Sequence, residues 1–354
     1  LKSSATSIYW LFYYAGSSLI GSLTGIVLVN SGWFSLMEVL LALLFCALIV
    51  SSLFIFKYRL YEKSKVYSHR RYGNNDVRSR LADNGKNVEV VNEGIRFCES
   101  TYPYDGGILI ANFGTEQLNP LNTDGKGYIL YYKDGKVSTL VAADGNLNAP
   151  KGMFMRNNHL YICDVNKIVV YDLNQKGKAP KTIHLPEGNL FVNDLAADGN
   201  NLYASVTNTD KIFKIDITDC DNPGEAQEWA TVPGPNGLLI GDGMMYVASY
   251  PADGNTGEKH VIYRINDLDN PQPEKVVTVP GQYDGIAFSS DGKSLYVTNW
   301  TPAGLSRVDL QTGSLSPLNI SLDKELSGPA DITVSGGKIY IPDLPASRVV
   351  IVTE

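Results

Sequence analysis

The sequence predicts an all-β body, a six-bladed β-propeller over residues 87–354, preceded by a two-helix transmembrane hairpin over residues 1–56. Three observations carry that prediction. Beyond residue 87 one pattern recurs six times: a short apolar strand, a turn, then a strand of the Leu-Tyr-Val type. The second strands start at Ile108, Leu160, Leu202, Met245, Leu295 and Ile339, spaced 52, 42, 43, 50 and 44 residues apart. Spacing in the forties with about four strand-like pieces per unit is how a propeller blade reads in sequence. Before residue 57 lie two unbroken apolar runs. Charge divides the same way: residues 1–86 carry 10 Lys/Arg against 4 Asp/Glu, and residues 87–354 carry 20 against 33.

The 354 residues are 44% apolar and 19% charged, enough for a packed core and incompatible with wholesale disorder. An acidic body argues against a nucleic-acid partner, because nothing there neutralises phosphates, whereas it would attract a cation. The four cysteines, 46, 98, 163 and 220, show neither paired spacing nor a Cys-x-x-Cys unit, so neither a disulfide framework nor a structural zinc site is expected. A reducing compartment is the simpler reading.

In chain order, the apolar runs at 8–30 and 35–56 are each long enough to cross about 30 Å of hydrocarbon. Glu38 is their only charge, which disfavours a buried soluble hairpin. Lys57, Arg59, Lys63, Lys65, Arg70 and Arg71 follow the second run, and residues 31–34 between the runs have no charge. The positive-inside tendency then puts both ends, and the propeller, on the cytoplasmic side of a membrane. Small residues along the first run, Gly16, Gly21 and Gly25 among them, invite close approach of another helix. The stretch ATSIYWLFYYAGSSLIGSLTGIVLVNSGWFSLMEVLLALL, with Gly32 and Trp33 in the outer loop, resembles the last two helices of a major facilitator superfamily transporter. The resemblance implies the remaining helices of a transporter as partners, with this chain as the tail of a longer one. Two spans alone do not enclose a transport path. Residues 57–86 form a basic juxtamembrane linker, which either holds anionic membrane lipid or only sets topology.

In the propeller, Asp-Gly pairs such as Asp198-Gly199 and Asp291-Gly292 mark turns between strands. The sixth unit stops at RVVIVTE, one strand short, and NVEVV at 87–91 can supply the missing strand and close the ring. Phosphate-binding glycine loops, a GxSxG elbow and HExxH are all missing, and the histidines fall at unrelated points of the repeat.

The start of each innermost strand points at the central tunnel, so the six unit heads should form a ring. Aligned by distance to the Leu-Tyr strand, the heads are Glu93, Lys151, Asn193, Asn236, Asp284 and Ala330. The interval is nine residues in four units and eleven in the fifth. Four heads are oxygen donors. Singly, Asn236-Gly237 or Asp284-Gly285 reads as a turn. Jointly, at equivalent points of a repeat, they suit one hard divalent cation, Ca²⁺ first, with Mg²⁺, Mn²⁺ or Zn²⁺ possible.

EGI at 93, NDL at 193, PNGL at 236 and YDGI at 284 resemble the metal-binding positions of the gluconolactonase and regucalcin family. The resemblance implies a six-bladed propeller with Glu93, Asn193, Asn236 and Asp284 holding one divalent cation. Two departures stand out. Phe191 replaces the Arg with which sugar-lactonase members hold substrate, and Lys151 stands where paraoxonase-like members have a catalytic His. Lys151 either binds a carboxylate or oxyanion of the substrate or points to water. The implied function is a metal-dependent hydrolase of a lactone or ester, with Asp284 as base, Lys151 as the second catalytic group, and Lys151, Phe191 and Tyr283 at the substrate. Phe97, Phe113, Tyr250 and Trp300 are further candidates for the pocket wall, or core. The reading from a different class is a non-catalytic ligand- or protein-binding propeller with a structural metal, regulating an attached transporter.

Overall fold

Six four-stranded antiparallel sheets succeed one another along residues 88–354, the part of the chain, apart from Lys176, that the computed structural model describes. The expected hairpin at 1–56 and linker at 57–86 lie outside the described residues. Among the described residues no helix is long and apolar enough to cross a membrane.

Blade 1 is β2 (Cys98–Tyr104), β3 (Gly107–Asn112), β4 (Tyr128–Lys133) and β5 (Lys136–Val141), from the axis outward. Blade 2 is β6 (Pro150–Arg156), β7 (His159–Asp164), β8 (Lys167–Asp172) and β9 (Lys181–His184). Blade 3 comprises β10 (Val192–Asp198), β11 (Asn201–Val206), β12 (Lys211–Asp216) and β13 (Gln227–Thr231), and blade 4 comprises β14 (Pro235–Gly241), β15 (Met244–Ser249), β16 (Ile262–Ile265) and β17 (Pro273–Val277). Blade 5 has β18 (Tyr283–Phe288), β19 (Ser294–Asn299), β20 (Gly304–Asp309) and β21 (Leu315–Leu318). Blade 6 combines the two ends: β22 (Thr333–Ser335), β23 (Lys338–Asp343), β24 (Arg348–Thr353) and, outermost, β1 (Val88–Val91). The antiparallel pairing of Val88 with Val352 through Val91 with Val349 is the closure expected of residues 87–91. The innermost strands touch in the cycle β2, β6, β10, β14, β18, β22 and back to β2, so the six sheets form one ring.

Burial along these strands follows their place in the blade. The second strand of each blade is buried on both faces, as in His159–Asp164, because a blade interior is covered by a neighbour on each side. Several first hairpins turn through two residues of positive φ, Asp105-Gly106, Asn157-Asn158 and Asp242-Gly243 among them, the geometry that matches strand twist and selects Asn, Asp and Gly. Six apolar clusters fill the wedges between neighbouring blades; that between blades 2 and 3, for example, packs Tyr161, Cys163 and Ile168 against Leu202, Ala204 and Phe213. Cys98, Cys163 and Cys220 are buried free thiols.

A second device fixes the segments that cross from the outer strand of one blade to the axis of the next. An Asn or Asp at or just beyond the end of the second strand accepts their backbone N–H groups. Arg96 N donates to Asn112 Oδ1, Ala149 N to Asp164 Oδ1 at 2.7 Å, Phe191 N to Asn208 Oδ1, Gln282 N to Asn299 Oδ1, and Ser327 N and Gly328 N to Asp343 Oδ1. The start of the innermost strand in blades 1, 2, 3, 5 and 6 is thereby held in place.

Candidate metal centre

The innermost strand of blades 1 to 5 opens with a break in register. It falls between Cys98 and Ser100, Pro150 and Met153, Val192 and Leu195, Pro235 and Leu238, and Tyr283 and Ile286. Such a bulge re-aims a side chain that regular alternation would send elsewhere. The residue after the first member of each break is Glu99, Lys151, Asn193, Asn236 or Asp284; Ala330 is its counterpart in blade 6, where Ala330 N donates to Pro342 O. All six are buried. Glu99 lies close enough to Asp284 on blade 5, Lys151 on blade 2 and Asp194 on blade 3 to feel their charges.

The next position locks the strands to one another. Where it is Gly, neighbouring backbone fills the space: a Cβ on Gly237 would lie 2.4 Å from Asp284 O, and one on Gly285 would lie 2.6 Å from Asp331 Cα. Where it is polar, it bonds the neighbour. Ser100 Oγ donates to Asp331 Oδ2 at 2.7 Å, and Asp194 accepts from Leu195 N and Leu238 N, both at 2.7 Å.

Four heads each present one buried oxygen without a hydrogen-bond partner: Glu99 Oε2, Asn193 Oδ1, Asn236 Oδ1 and Asp284 Oδ1. Leaving a buried polar atom unpaired costs about 1–3 kcal/mol, so four on one axis call for a shared partner. The orientation of Asn193 is fixed from behind. Thr207 Oγ1 spends its proton on Pro235 O at 2.9 Å, so it can only accept from Asn193 Nδ2 at 3.2 Å, and the amide oxygen is left for the axis. Asn236 lies beside Asp284 of the next blade.

Charge points the same way. Glu99, Asp194, Asp284 and Asp331 are four buried carboxyls around one axis, with Lys151 the buried ammonium among them. Burial, reinforced by the neighbouring carboxylates, pushes Glu99 and Asp331 well above the ordinary range. It raises Asp284 to about 7, with Asp194 adding and the neighbouring Asn236 amide opposing, and raises Asp194 to about 7 against the pull of its two backbone N–H bonds. Burial lowers Lys151, and the nearby Glu99 charge opposes it. Two carboxylate and two carboxamide oxygens, with no sulfur or imidazole among the heads, fit a hard cation that takes six to eight oxygens and completes its shell with water.

Glu93 is not in this ring. It lies in an exposed turn between β1 and β2, and Glu99 takes the position expected of it. The reason is reach: β1 is the outermost strand of blade 6, and getting from there to the axis spans three strand spacings, about 14 Å. Two residues of chain extend only about 7 Å. The nine-residue interval counted back from Ile108 lands on Glu99, so the signal was present in the sequence. Tyr283, expected at the substrate, is also displaced. It is buried in the core between blades 4 and 5 and donates to Val279 O, because side chains on either side of a strand position point opposite ways. Asn193, Asn236 and Asp284 stand at the heads as expected. Lys151 does not point to water: its Nζ donates to Ala149 O at 3.0 Å and Pro120 O at 3.2 Å and sits 5.5 and 5.4 Å from the ring centres of Phe113 and Phe191. Tyr250 lies near Asp284, whose charge, after burial, raises its phenol. Asp194 and Asp331 were not anticipated; each follows a head by one residue, and only ring closure reveals them.

Away from the axis, His159, Asp172 and Asp221 cluster near the first hairpin turn of blade 2. Lys181 Nζ already lies 3.9 Å from Asp221 Oδ1, which balances that charge.

No protein-family model matches the chain, and no curated protein matches it. Solved structures do. A gluconolactonase from Xanthomonas campestris superposes with a TM-score of 0.55 at 15% identity, over 75% of this chain and 89% of that one. A Bacteroides thetaiotaomicron protein of unknown function gives 0.52 at 15% identity, over 73% and 70%. A catalytically inactive virginiamycin B lyase from Staphylococcus aureus, with quinupristin, gives 0.50 at 16% identity, over 75% and 99%. At these identities the likeness is one of fold.

Proposed function

We propose that the protein is a membrane-attached, metal-dependent hydrolase of a lactone or ester, with one divalent cation, Ca²⁺ by its donor set, held by Glu99, Asn193, Asn236 and Asp284. The observation that carries this reading is the set of four buried, unpartnered oxygens on four different blades. The gluconolactonase-like fold agrees with it. Membrane attachment rests on the apolar runs at 8–30 and 35–56.

A bound cation would polarise the substrate carbonyl. The chain's own groups do the rest. Asn193 and Asn236 are neutral donors that orient without adding charge. The second carboxylate oxygen of Asp284, which is not among the four offered to the cation, would take a proton from the attacking water. That proton passes to the leaving alkoxide as the acyl C–O bond breaks, giving acid and alcohol. Lys151 has spent two of its three N–H groups on carbonyls, and the third can donate to a substrate oxygen.

The test is a panel of lactones, aryl esters and organophosphates, assayed with EDTA and after Ca²⁺ is restored. Turnover that EDTA removes and Ca²⁺ returns is expected on at least one class. A cation that binds with no turnover on any of them would instead support the non-catalytic binding propeller.

A further inference from the structure

We infer that the part of the substrate that does not react is apolar, an alkyl chain or aromatic ring and not a polyhydroxylated ring; this rests on the hydrolase reading above. Three independent features carry it.

The first is a seventh apolar cluster. The other six lie between neighbouring blades, but this one joins Phe113, Ala149, Val165, Ala330 and Leu344, with Phe97 and Trp300 against it, drawing on blades 1, 2, 5 and 6. It includes Ala330, the ring head without a polar group. Ala330 therefore interrupts the ring with hydrocarbon between Asp284 of blade 5 and Glu99 of blade 1, and Phe97 and Trp300, the partly exposed members of the cluster, lie against that apolar head's packing.

The second feature is the state of the polar groups on the same face. Recognition of sugar hydroxyls needs side-chain donors and acceptors that the protein has not already used. Here they are used. Asn112 accepts from Arg96 N and donates to Ile110 O; Asn208 accepts from Leu190 N and Phe191 N and donates to Gly188 O; Asn299 accepts from Gln282 N and donates to Pro302 O.

The third is the distribution of exposed hydrocarbon. Apart from Val88 and Val90 on β1, the exposed large apolar residues among those described are Leu118, Leu121, Leu190 and Val279. All four lie in connections that run on the face bearing the heads: β3 to β4, β9 to β10, and β17 to β18. Leu121 follows Pro120, which accepts from Lys151, and Leu190 precedes Phe191, whose ring lies against Lys151 Nζ. Leu121 and Leu190 thus stand next in sequence to two residues that contact the one buried ammonium at the ring.

Hexanoate and gluconate share a carboxylate and a carbon count and differ in their hydroxyls. Titrated calorimetrically into the Ca²⁺-loaded full chain, hexanoate is expected to bind more tightly, and a series of longer n-alkyl carboxylates to gain up to about fourfold per methylene while the chain is being buried. The double variant Leu121→Asn/Leu190→Asn should flatten that gain. Gluconate binding as tightly as hexanoate or more so, or affinity independent of chain length, overturns the inference. Because the readout is binding, it stands apart from the turnover panel: absence of turnover would count against the hydrolase, and tight gluconate binding would count against the apolar substrate alone.

Discussion

At the scale of single residues, the decisive groups are the carboxyls buried at the ring of heads. Asp284 and Asp194 are each raised to about 7 from an ordinary 3.8, mainly by burial. Between those values the unfolded chain releases protons that the folded chain keeps, so the metal-free protein loses stability as pH climbs, with no further loss from these groups above about 7. Asp284→Asn removes one of the two. In EDTA its melting temperature relative to the parent is expected to rise between pH 4 and pH 8, while Ca²⁺-dependent turnover falls by at least about a hundredfold if Asp284 is the base. A variant that is relatively less stable at pH 8 than at pH 4 would show that the carboxylate is not the burden described. Three of the four oxygen heads were legible from the repeat. Glu99 was not, because the Glu-Gly-Ile at 93 imitates the head sequence, although the nine-residue interval from Ile108 points to Glu99.

At the scale of elements, the register break at the start of each innermost strand aims the head, and the residue after the head keeps neighbouring strands close. Gly237 is the most exacting case. Its replacement by Ala sets a Cβ 2.4 Å from Asp284 O, so either the backbone of blade 5 shifts or the strand does. A loss of about 1–3 kcal/mol by chemical denaturation is expected, together with weaker Ca²⁺ binding. Parental stability and affinity would mean that the two strands are not locked there. The crossing segments give a second test. Asp343 is fully buried, accepts from Ser327 N and Gly328 N, and pairs with Arg348 at 2.8 Å. Asp343→Ala strands that guanidinium and two N–H groups, and should cost about 3–5 kcal/mol. The strands themselves were readable because both their short apolar runs and their turn residues are local. Asp194 and Asp331 were not, since their meaning depends on a neighbour supplied by another blade: Leu238 in one case, Ser100 in the other.

At the scale of the whole molecule, blade number and closure were readable from the spacing of the repeat, and β1 completes blade 6 as NVEVV suggested. A chain lacking residues 1–91 should expose the edge of β24 and aggregate or melt well below one lacking only residues 1–86; equal melting temperatures would remove β1 from the closure. The ring brings scattered oxygens to one axis, and a cation that binds only the folded form should stabilise it by about 2.7 kcal/mol at a hundred times its Kd. The most direct measurement is the shift in melting temperature of the full chain on adding Ca²⁺, compared among the parent, Glu99→Gln and Glu93→Gln. A shift that EDTA reverses is expected in the parent and in Glu93→Gln, with little or none in Glu99→Gln. A shift retained in Glu99→Gln, or lost in Glu93→Gln, would contradict a cation held by the ring of heads.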